Sequence, residues 1–279
     1  MPDLLLLGGD SKSAFEIEEL AKRLGFRVKC IFEMPLAIEW IKLKSFDAVC
    51  VPSGASIESQ QPLADLLWRA NPLAPLVVYD FAAGAGVVNR RARLFGADVA
   101  AGPAALLQIE RILLNVKPSG SIKSENFRIL VVEDLDSPRD IICAYVESLG
   151  FPSVEGVRSA REALDLLGKD PQHFSCVLTD IRMPRMTGEE MLRELRADKK
   201  LQHLPVVVLT AYGTVDCLID CLKAGASGFL VKPPKRNDIV REVSRAYRLF
   251  SSGADPRLIS SEEADSLREL LLERGTGLT

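Results

Sequence analysis

The sequence contains few of the residues on which zinc enzymes and phosphohistidine proteins depend. Only two histidines occur, His173 and His203, which leaves little material for a phosphorylated histidine or a histidine-based hydrolase. The six cysteines form no Cys-x-x-Cys pair, and no histidine or third cysteine lies near Cys217 and Cys221 to complete a zinc site. We therefore expect reduced, mostly buried thiols rather than disulfides.

Long apolar runs and an excess of basic charge are also missing. The apolar run Leu4–Leu7 is much shorter than the roughly 20 residues of a membrane span, and no basic start precedes it as in a signal peptide. The net charge of −3 gives no general attraction for nucleic acid or acidic membranes. The basic group Arg90, Arg91 and Arg93 is interpreted as a solvated helix face. We predict a cytoplasmic protein that binds neither nucleic acid nor membrane.

The chain repeats itself at an offset of about 125 to 130 residues. Four pairs of segments match in the same order: Leu24–Phe26 with Leu149–Phe151, Phe46–Val49 with Phe174–Val177, Pro75–Val78 with Pro205–Val208, and Gly96–Ala97 with Gly225–Ala226. The stretch between the copies is rich in Ser, Lys, Pro and Gly, which is typical of a linker. The predicted organisation is a domain at 1–116, a linker at 117–126, a domain at 127–250, and a hinge with a short helix at 251–279.

Short apolar strands alternate with amphipathic helices in each copy. In the second copy a last helix is expected from about Arg236 to Phe250, and the predicted strands are Ile129–Val132, Ser153–Val157, Cys176–Thr179, Val206–Thr210 and Phe229–Val231. Strict alternation of strand and helix predicts a parallel sheet covered by helices on both faces. The predicted fold class is α/β, with two doubly wound parallel-sheet domains in tandem and a short C-terminal helix.

Polar residues follow the predicted strands of the second copy, where the chemistry of such sheets gathers. Glu133 and Asp134 follow the first strand, Asp180 the third, Thr210 the fourth and Lys232 the fifth. Three carboxylates in one crevice repel one another unless a cation lies among them, and oxygen-only ligands favour Mg²⁺ or Mn²⁺. A hydroxyl and an ammonium opposite the carboxylates suit phosphoryl oxygens. The pattern therefore predicts phosphorylation of an aspartate.

These residues carry a resemblance to a known family. The segments "VVED", "TDIRMPRMTGEE", "TAYG" and "FLVKP" make residues 127–250 similar to the receiver domain of two-component response regulators, a flavodoxin-like fold. The resemblance implies that Asp180 accepts a phosphoryl group from a sensor histidine kinase or a histidine phosphotransfer protein.

The same resemblance assigns roles to the other site residues. It implies that Glu133, Asp134, Asp180 and the backbone carbonyl of Arg182 bind the metal ion. It further implies that Thr210 and Lys232 sense the phosphate and that Phe229 is an aromatic switch.

The first copy lacks this chemistry. Gly8 and Gly9 align with the acidic pair, Pro52 and Ser53 with Asp180, and Asp80 with Thr210. Gly102 and Pro103 fall near the place of Lys232, and Asp10 lies near the acidic pair but out of register. We interpret residues 1–116 as a degenerate receiver kept as a binding or dimerising surface. The segment Gly84-x-Gly86 is too short for a nucleotide-binding loop.

Two alternative functions each require a feature that this sequence lacks. A dehalogenase-type phosphohydrolase needs a second aspartate two residues after the nucleophile, where this chain has Arg182, so we expect no enzyme activity of that kind. A transcription factor would need a DNA-reading helix, which the sequence does not present. An unphosphorylated scaffold and the receiver portion of a longer regulator stay open.

The C-terminal segment is expected to form a hinge and a docked helix. Ser251–Pro256 is rich in helix-breaking residues, and Ser260 with Glu263 predicts a capping box. The apolar stripe on the helix that follows is too short for a free coiled coil. We expect it to dock on a domain or on a second subunit of a homodimer, in a way that phosphorylation alters. The stripe consists of Ala264, Leu267, Leu270 and Leu271.

Overall fold

The computed structural model describes most of the chain as two compact units. The described residues are 1–8, 12–55, 57–71, 73–82, 92–93, 96–116, 127–148, 151, 153–211, 215–253 and 255–273, with no side-chain description for 57–59, 215, 252 and 270–273. The units are Met1–Ile122 and Lys123–Thr279. The predicted linker, Asp10, the Gly84-x-Gly86 segment, and Arg90 and Arg91 lie outside the described residues.

The first unit alternates strands and helices around a parallel sheet. Its strands follow the order β2-β1-β3-β4-β5 across the sheet. The elements are β1 (Asp3–Leu7), α1 (Lys12–Arg23), β2 (Arg27–Ile31), α2 (Met34–Leu43), β3 (Ala48–Pro52), α3 (Ile57–Ala70), β4 (Leu76–Asp80), β5 (Asp98–Ala101), a 3-10 turn (Gly102–Ala104) and α4 (Ala105–Leu114).

The second unit repeats the same plan. Its sheet has the strand order β10-β9-β8-β6-β7. Read from the opposite edge, this order is β7-β6-β8-β9-β10, which corresponds to β2-β1-β3-β4-β5 of the first sheet. The elements are β6 (Arg128–Val132), α5 (Asp136–Ser148), β7 (Ser153–Val157), α6 (Ala160–Lys169), β8 (Cys176–Asp180), α7 (Gly188–Ala197), β9 (Val206–Thr210), α8 (Val215–Lys223), β10 (Gly228–Val231), α9 (Arg236–Ser252) and α10 (Ser261–Glu273).

Both sheets bury their central strands because helices cover both faces. In the first unit, Leu5 and Leu7 pack into one core cluster, and Leu4 and Leu6 pack into another. Successive residues of a strand point to opposite faces, so a run of four leucines fills both cores. The second sheet shows the same burial along β6, β8 and β9. The predicted fold, two doubly wound α/β sheets of flavodoxin-like architecture with a short C-terminal helix, is confirmed.

The structure corrects two details of the sequence interpretation. All six cysteines are free, as expected, but only Cys50, Cys176 and Cys221 are buried, and Cys30 is exposed. Burial raises the pKa of Cys50 to about 12, so that thiol stays protonated at neutral pH. The expected hinge also begins later than predicted, because α9 continues to Ser252 and ends at Gly253 in the left-handed conformation.

The C-terminal helix has the predicted cap. Ser260 N donates to Glu263 Oε2 at 2.8 Å, and Glu263 N donates to Ser260 Oγ at 3.1 Å, which together form a capping box. Ala264 and Leu267 are buried, as the stripe predicted, whereas the side chains of Leu270 and Leu271 lie outside the described residues. No described helix combines the length and the apolar composition needed to cross a membrane.

Candidate functional site: an acidic crevice in the second unit

The predicted site residues lie at the carboxyl ends of neighbouring strands. Asp180 and Thr210 are the last residues of β8 and β9, Glu133 and Asp134 directly follow β6, and Lys232 directly follows β10. Because β10, β9, β8 and β6 are consecutive across the sheet, all five residues lie along one edge of it. The expected convergence at this edge is therefore present in the fold.

Three carboxylates meet in this crevice. One oxygen from each of Glu133, Asp134 and Asp180 lies within 4.8 Å of the others. The side chain of Glu133 is only 1% exposed and that of Asp180 is 10% exposed. In the part of the chain that the structure describes, this is the one group of three such side chains close enough to share a metal ion.

Lys232 reaches into the same crevice from β10. Its Nζ forms an ion pair with Glu133 and a second one with Asp180 Oδ1 at 3.0 Å. Three carboxylates thus stand against this one ammonium in a largely buried site, which gives an excess of negative charge among these four groups. Such an excess is costly unless a cation joins it, and carboxylate oxygens are the ligands that Mg²⁺ prefers.

Gly188 allows the backbone after Asp180 to close tightly. A Cβ at this position would stand 2.0 Å from the carbonyl oxygen of Asp180, so a side chain there would displace the backbone of the site. Gly188 N also donates to Ile181 O at 2.9 Å, and Thr187 caps the helix that begins here. Gly188 belongs to the segment "TDIRMPRMTGEE" that carries the family resemblance, but the local pattern offered no physical reason for a glycine there.

Arg139 was also missed by sequence reasoning. It is largely buried, and its Nη1 donates to the backbone carbonyl of Glu133 at 3.1 Å. It also forms an ion pair with Asp136, and this hydrogen bond holds the pKa of Asp136 below its usual range. Arg139 thereby fixes the turn that carries Glu133 and Asp134. The one sequence signal for this role is the position of Arg139 three residues after Asp136.

The remaining predicted residues have less definite surroundings. Thr210 is buried, and its Oγ1 lies 3.8 Å from Cys217 Sγ at the start of α8. Phe229 is half-buried and packs against the core cluster of the second unit. Arg182 lies in the loop after β8 with an exposed side chain. The role of its backbone carbonyl as a metal ligand stays a prediction.

The equivalent edge of the first sheet is built differently. Ser53 Oγ donates to Asp80 Oδ2 at 2.6 Å, and Ala82 N donates to Asp80 Oδ1 at 3.0 Å. Tyr79 donates its hydroxyl to Leu7 O at 2.7 Å, close against Gly8. Among the described residues of this edge, the carboxylate of Asp80, bound by a hydroxyl and a backbone amide, thus stands where the second sheet has three carboxylates and an ammonium.

The second unit is similar to known proteins. The model of the response regulator receiver domain matches residues 129–244. The chain is 36% identical over 113 residues to chemotaxis protein CheY-3 of Vibrio cholerae, covering 40% of this chain and 85% of that protein. It is 38% identical over 117 residues to the two-component response regulator ORR11 of Oryza sativa, covering 42% and 78%.

A solved structure, the chemotaxis response regulator CheY4 of Vibrio cholerae, has 28% identity and a TM-score of 0.40, covering 43% of this chain and 98% of that one. The alignments with CheY-3 and ORR11 cover 85% and 78% of those two proteins. The chain therefore belongs to the response regulator family of two-component signalling, through the receiver domain in its second unit.

Proposed function

We propose that Asp180 is the phosphoacceptor of this response regulator. Its donor is the phosphohistidine of a sensor histidine kinase or of a histidine phosphotransfer protein, and its output is a change in protein–protein contacts. The observation that carries the proposal is the crevice in which Glu133, Asp134 and Asp180 lie together and Lys232 pairs with two of them, Glu133 and Asp180. A carboxylate nucleophile, a place for a divalent cation and a fixed positive charge are the parts that phosphoryl transfer requires.

Each side chain has a distinct part in this proposal. An oxygen of Asp180 attacks the phosphorus, and the phosphorus–nitrogen bond to the donor histidine breaks. Mg²⁺, or Mn²⁺ in its place, would be held by Glu133, Asp134 and Asp180, with the carbonyl of Arg182 as a further ligand, and would neutralise charge on the phosphoryl oxygens. Lys232, whose Nζ lies 3.0 Å from Asp180 Oδ1, contributes a second positive charge.

Thr210 and Phe229 are proposed to convert phosphorylation into a change of shape. A phosphoryl group adds acceptor oxygens, toward which the Thr210 hydroxyl on the next strand can turn. Phe229, half-buried on β10, can then move into the space that Thr210 leaves. The proposed chain of movement runs from the acidic crevice to α8 and β10.

The first unit is proposed to be a degenerate receiver without phosphoryl chemistry. Its fold repeats that of the second unit, but Ser53 and Asp80 replace the acidic group. We propose domain bounds of 1–116 and 127–250, joined by a linker at 117–126 and followed by 251–279. The first domain then serves as a binding or dimerising surface, the whole chain acts in the cytoplasm, and it has no separate enzyme activity.

Phosphorylation by a small donor tests the proposal. Incubation of the full chain with acetyl phosphate and Mg²⁺ should add one phosphoryl group per chain, counted by intact mass. Asp180→Asn should remove this modification, whereas Asp165→Asn, an exposed aspartate on α6, should retain it. Two groups per chain, or modification that survives Asp180→Asn, would contradict the assignment of the site.

A further inference from the structure

The C-terminal helix α10 packs against α8, the helix that follows the strand carrying Thr210. Two ion pairs join the helices. Lys223 on α8 pairs with Asp265 on α10, and Arg268 on α10 donates to Asp216 on α8 at 2.7 Å. The two pairs have opposite polarity and lie toward opposite ends of α8, so they specify one register of α10 on α8.

Apolar side chains between these ion pairs are buried. Leu218 and Leu222 lie one turn apart on α8, beside the stripe of Cys217 and Cys221 that packs into the core of the sheet. Ala264 and Leu267 of α10 are buried as well, although α10 is not one of the helices of the repeated α/β plan. Both pairs therefore lie on two helices that pack against each other.

The segment that leads into α10 is also attached to this region. Leu258 N donates to Ala226 O at 2.8 Å, in the turn between α8 and β10, and Leu258 and Ile259 are buried. A helix of this length is marginal in water by itself. Its stability therefore depends on the docked position, and its departure would expose apolar surface on α8.

A contact connects this surface with the acidic crevice. Thr210 Oγ1 lies 3.8 Å from Cys217 Sγ in the first turn of α8. Thr210 ends β9, and Asp180 ends the neighbouring strand β8. A turn of the Thr210 hydroxyl toward a group on Asp180 would therefore change its contact with Cys217 on α8.

We propose that α8 is a docking surface for an amphipathic helix that presents one acidic and one basic residue to Lys223 and Asp216, and that α10 occupies it in the unphosphorylated chain. Phosphorylation of Asp180 weakens the docking of α10 and makes α8 available to a partner helix of the same chemistry. The second step rests on the proposed function, whereas the docking does not. A ligand-driven shift of this kind requires only that the two states differ in the contacts made at α8.

Charge reversal in the full chain tests the docking. Lys223→Glu should accelerate amide hydrogen exchange in residues 261–269 by about three- to tenfold, because the pair with Asp265 becomes repulsive. The double variant Lys223→Glu with Asp265→Lys should restore slow exchange. Lys42→Glu, which breaks an exposed ion pair with Glu39 on α2, is the matched control and should leave α10 unchanged. Failure of the single variant to accelerate exchange, or of the double variant to restore it, would overturn the docking.

Phosphorylation of the full chain tests the release. Acetyl phosphate with Mg²⁺ should accelerate exchange in residues 261–269 of the wild-type chain and leave the Asp180→Asn chain unchanged. Unchanged exchange in a chain that carries the phosphoryl group by intact mass would overturn the release alone. A chain that takes up no phosphoryl group at all would overturn both the proposed function and the release, with the docking still decided by the charge-reversal variants.

Discussion

The positive charge of Lys232 affects both metal binding and phosphoryl transfer in the acidic crevice. Its ammonium pairs with both Glu133 and Asp180, so it already compensates part of the charge that a metal ion would compensate. The same ammonium is placed to neutralise phosphoryl oxygens after transfer. Metal binding and phosphoryl transfer therefore depend on Lys232 in opposite directions.

Replacing Lys232 should separate these two effects. Lys232→Met keeps the length of the side chain and removes the charge, so binding of Mn²⁺ should stay intact or become tighter while phosphorylation of Asp180 becomes at least about tenfold slower. Mn²⁺ binding followed by electron paramagnetic resonance and phosphorylation followed by intact mass measure the two effects. Lys235→Met, a charge removed just before α9, is the control. Loss of Mn²⁺ binding in Lys232→Met would contradict the account.

Gly188 gives a second test at the residue scale. Gly188→Ala should destabilise the protein by about 2 kcal/mol or more and impair phosphorylation, because its Cβ would meet the Asp180 carbonyl at 2.0 Å. Gly168→Ala in α6 is the matched control, since its Cβ meets nothing within 4 Å and alanine favours a helix by up to about 1 kcal/mol. Urea unfolding measures both variants. Equal changes in the free energy of unfolding for the two variants would show that the close approach of Gly188 to the Asp180 carbonyl is not needed.

At the scale of elements, Arg196 of α7 joins several parts of the second unit. Its guanidinium donates to the carbonyl oxygens of Gly225 at 2.9 Å and Leu204 at 2.8 Å, next to the loops that enter β9 and β10. Burial lowers the pKa of Arg196 to about 10, so it stays charged at neutral pH. Removal of the arginine would leave these two backbone carbonyl oxygens without the donor that they have in the folded protein.

Arg196→Met should therefore lower the free energy of unfolding of the second unit by about 2 to 4 kcal/mol. Arg193→Met on the same helix breaks one exposed ion pair with Glu189 and should cost about 0.5 kcal/mol or less. Urea unfolding followed by circular dichroism measures both. Trp40 and Trp68 both lie in the first unit, so tryptophan fluorescence follows that unit separately. A loss in Arg196→Met no larger than in Arg193→Met would contradict this role.

The elements themselves were predictable from the sequence, and many contacts between them were not. Apolar runs and helical periodicity located β6 to β10 within a residue at each end, because both patterns reflect burial on a parallel sheet. The same patterns contain nothing about how far a long side chain reaches. The contacts of Arg139 and Arg196 therefore came only from the structure, as did the exposure of Cys30 and the partial exposure of Cys143 and Cys217.

At the scale of the whole molecule, one fold occurs twice with different strand-end chemistry. The two sheets share their strand order, but the residues at their carboxyl ends differ completely. The apolar interiors depend on hydrophobicity alone, whereas a phosphoacceptor site needs each polar side chain in place. Sequence reasoning placed the acidic group of the second copy correctly. It did not foresee that Ser53 and Asp80 would pair in the first.

The most direct test of the central claim is chemical mapping of the phosphorylated residue in the full chain. Borohydride reduces an aspartyl phosphate to homoserine, which marks the position that carried the phosphoryl group. After treatment with acetyl phosphate and Mg²⁺, peptide mass spectrometry should find homoserine at position 180 and at no other aspartate of either unit. Homoserine at Asp80 or Asp134, or a chain that is phosphorylated without any conversion at position 180, would contradict the account.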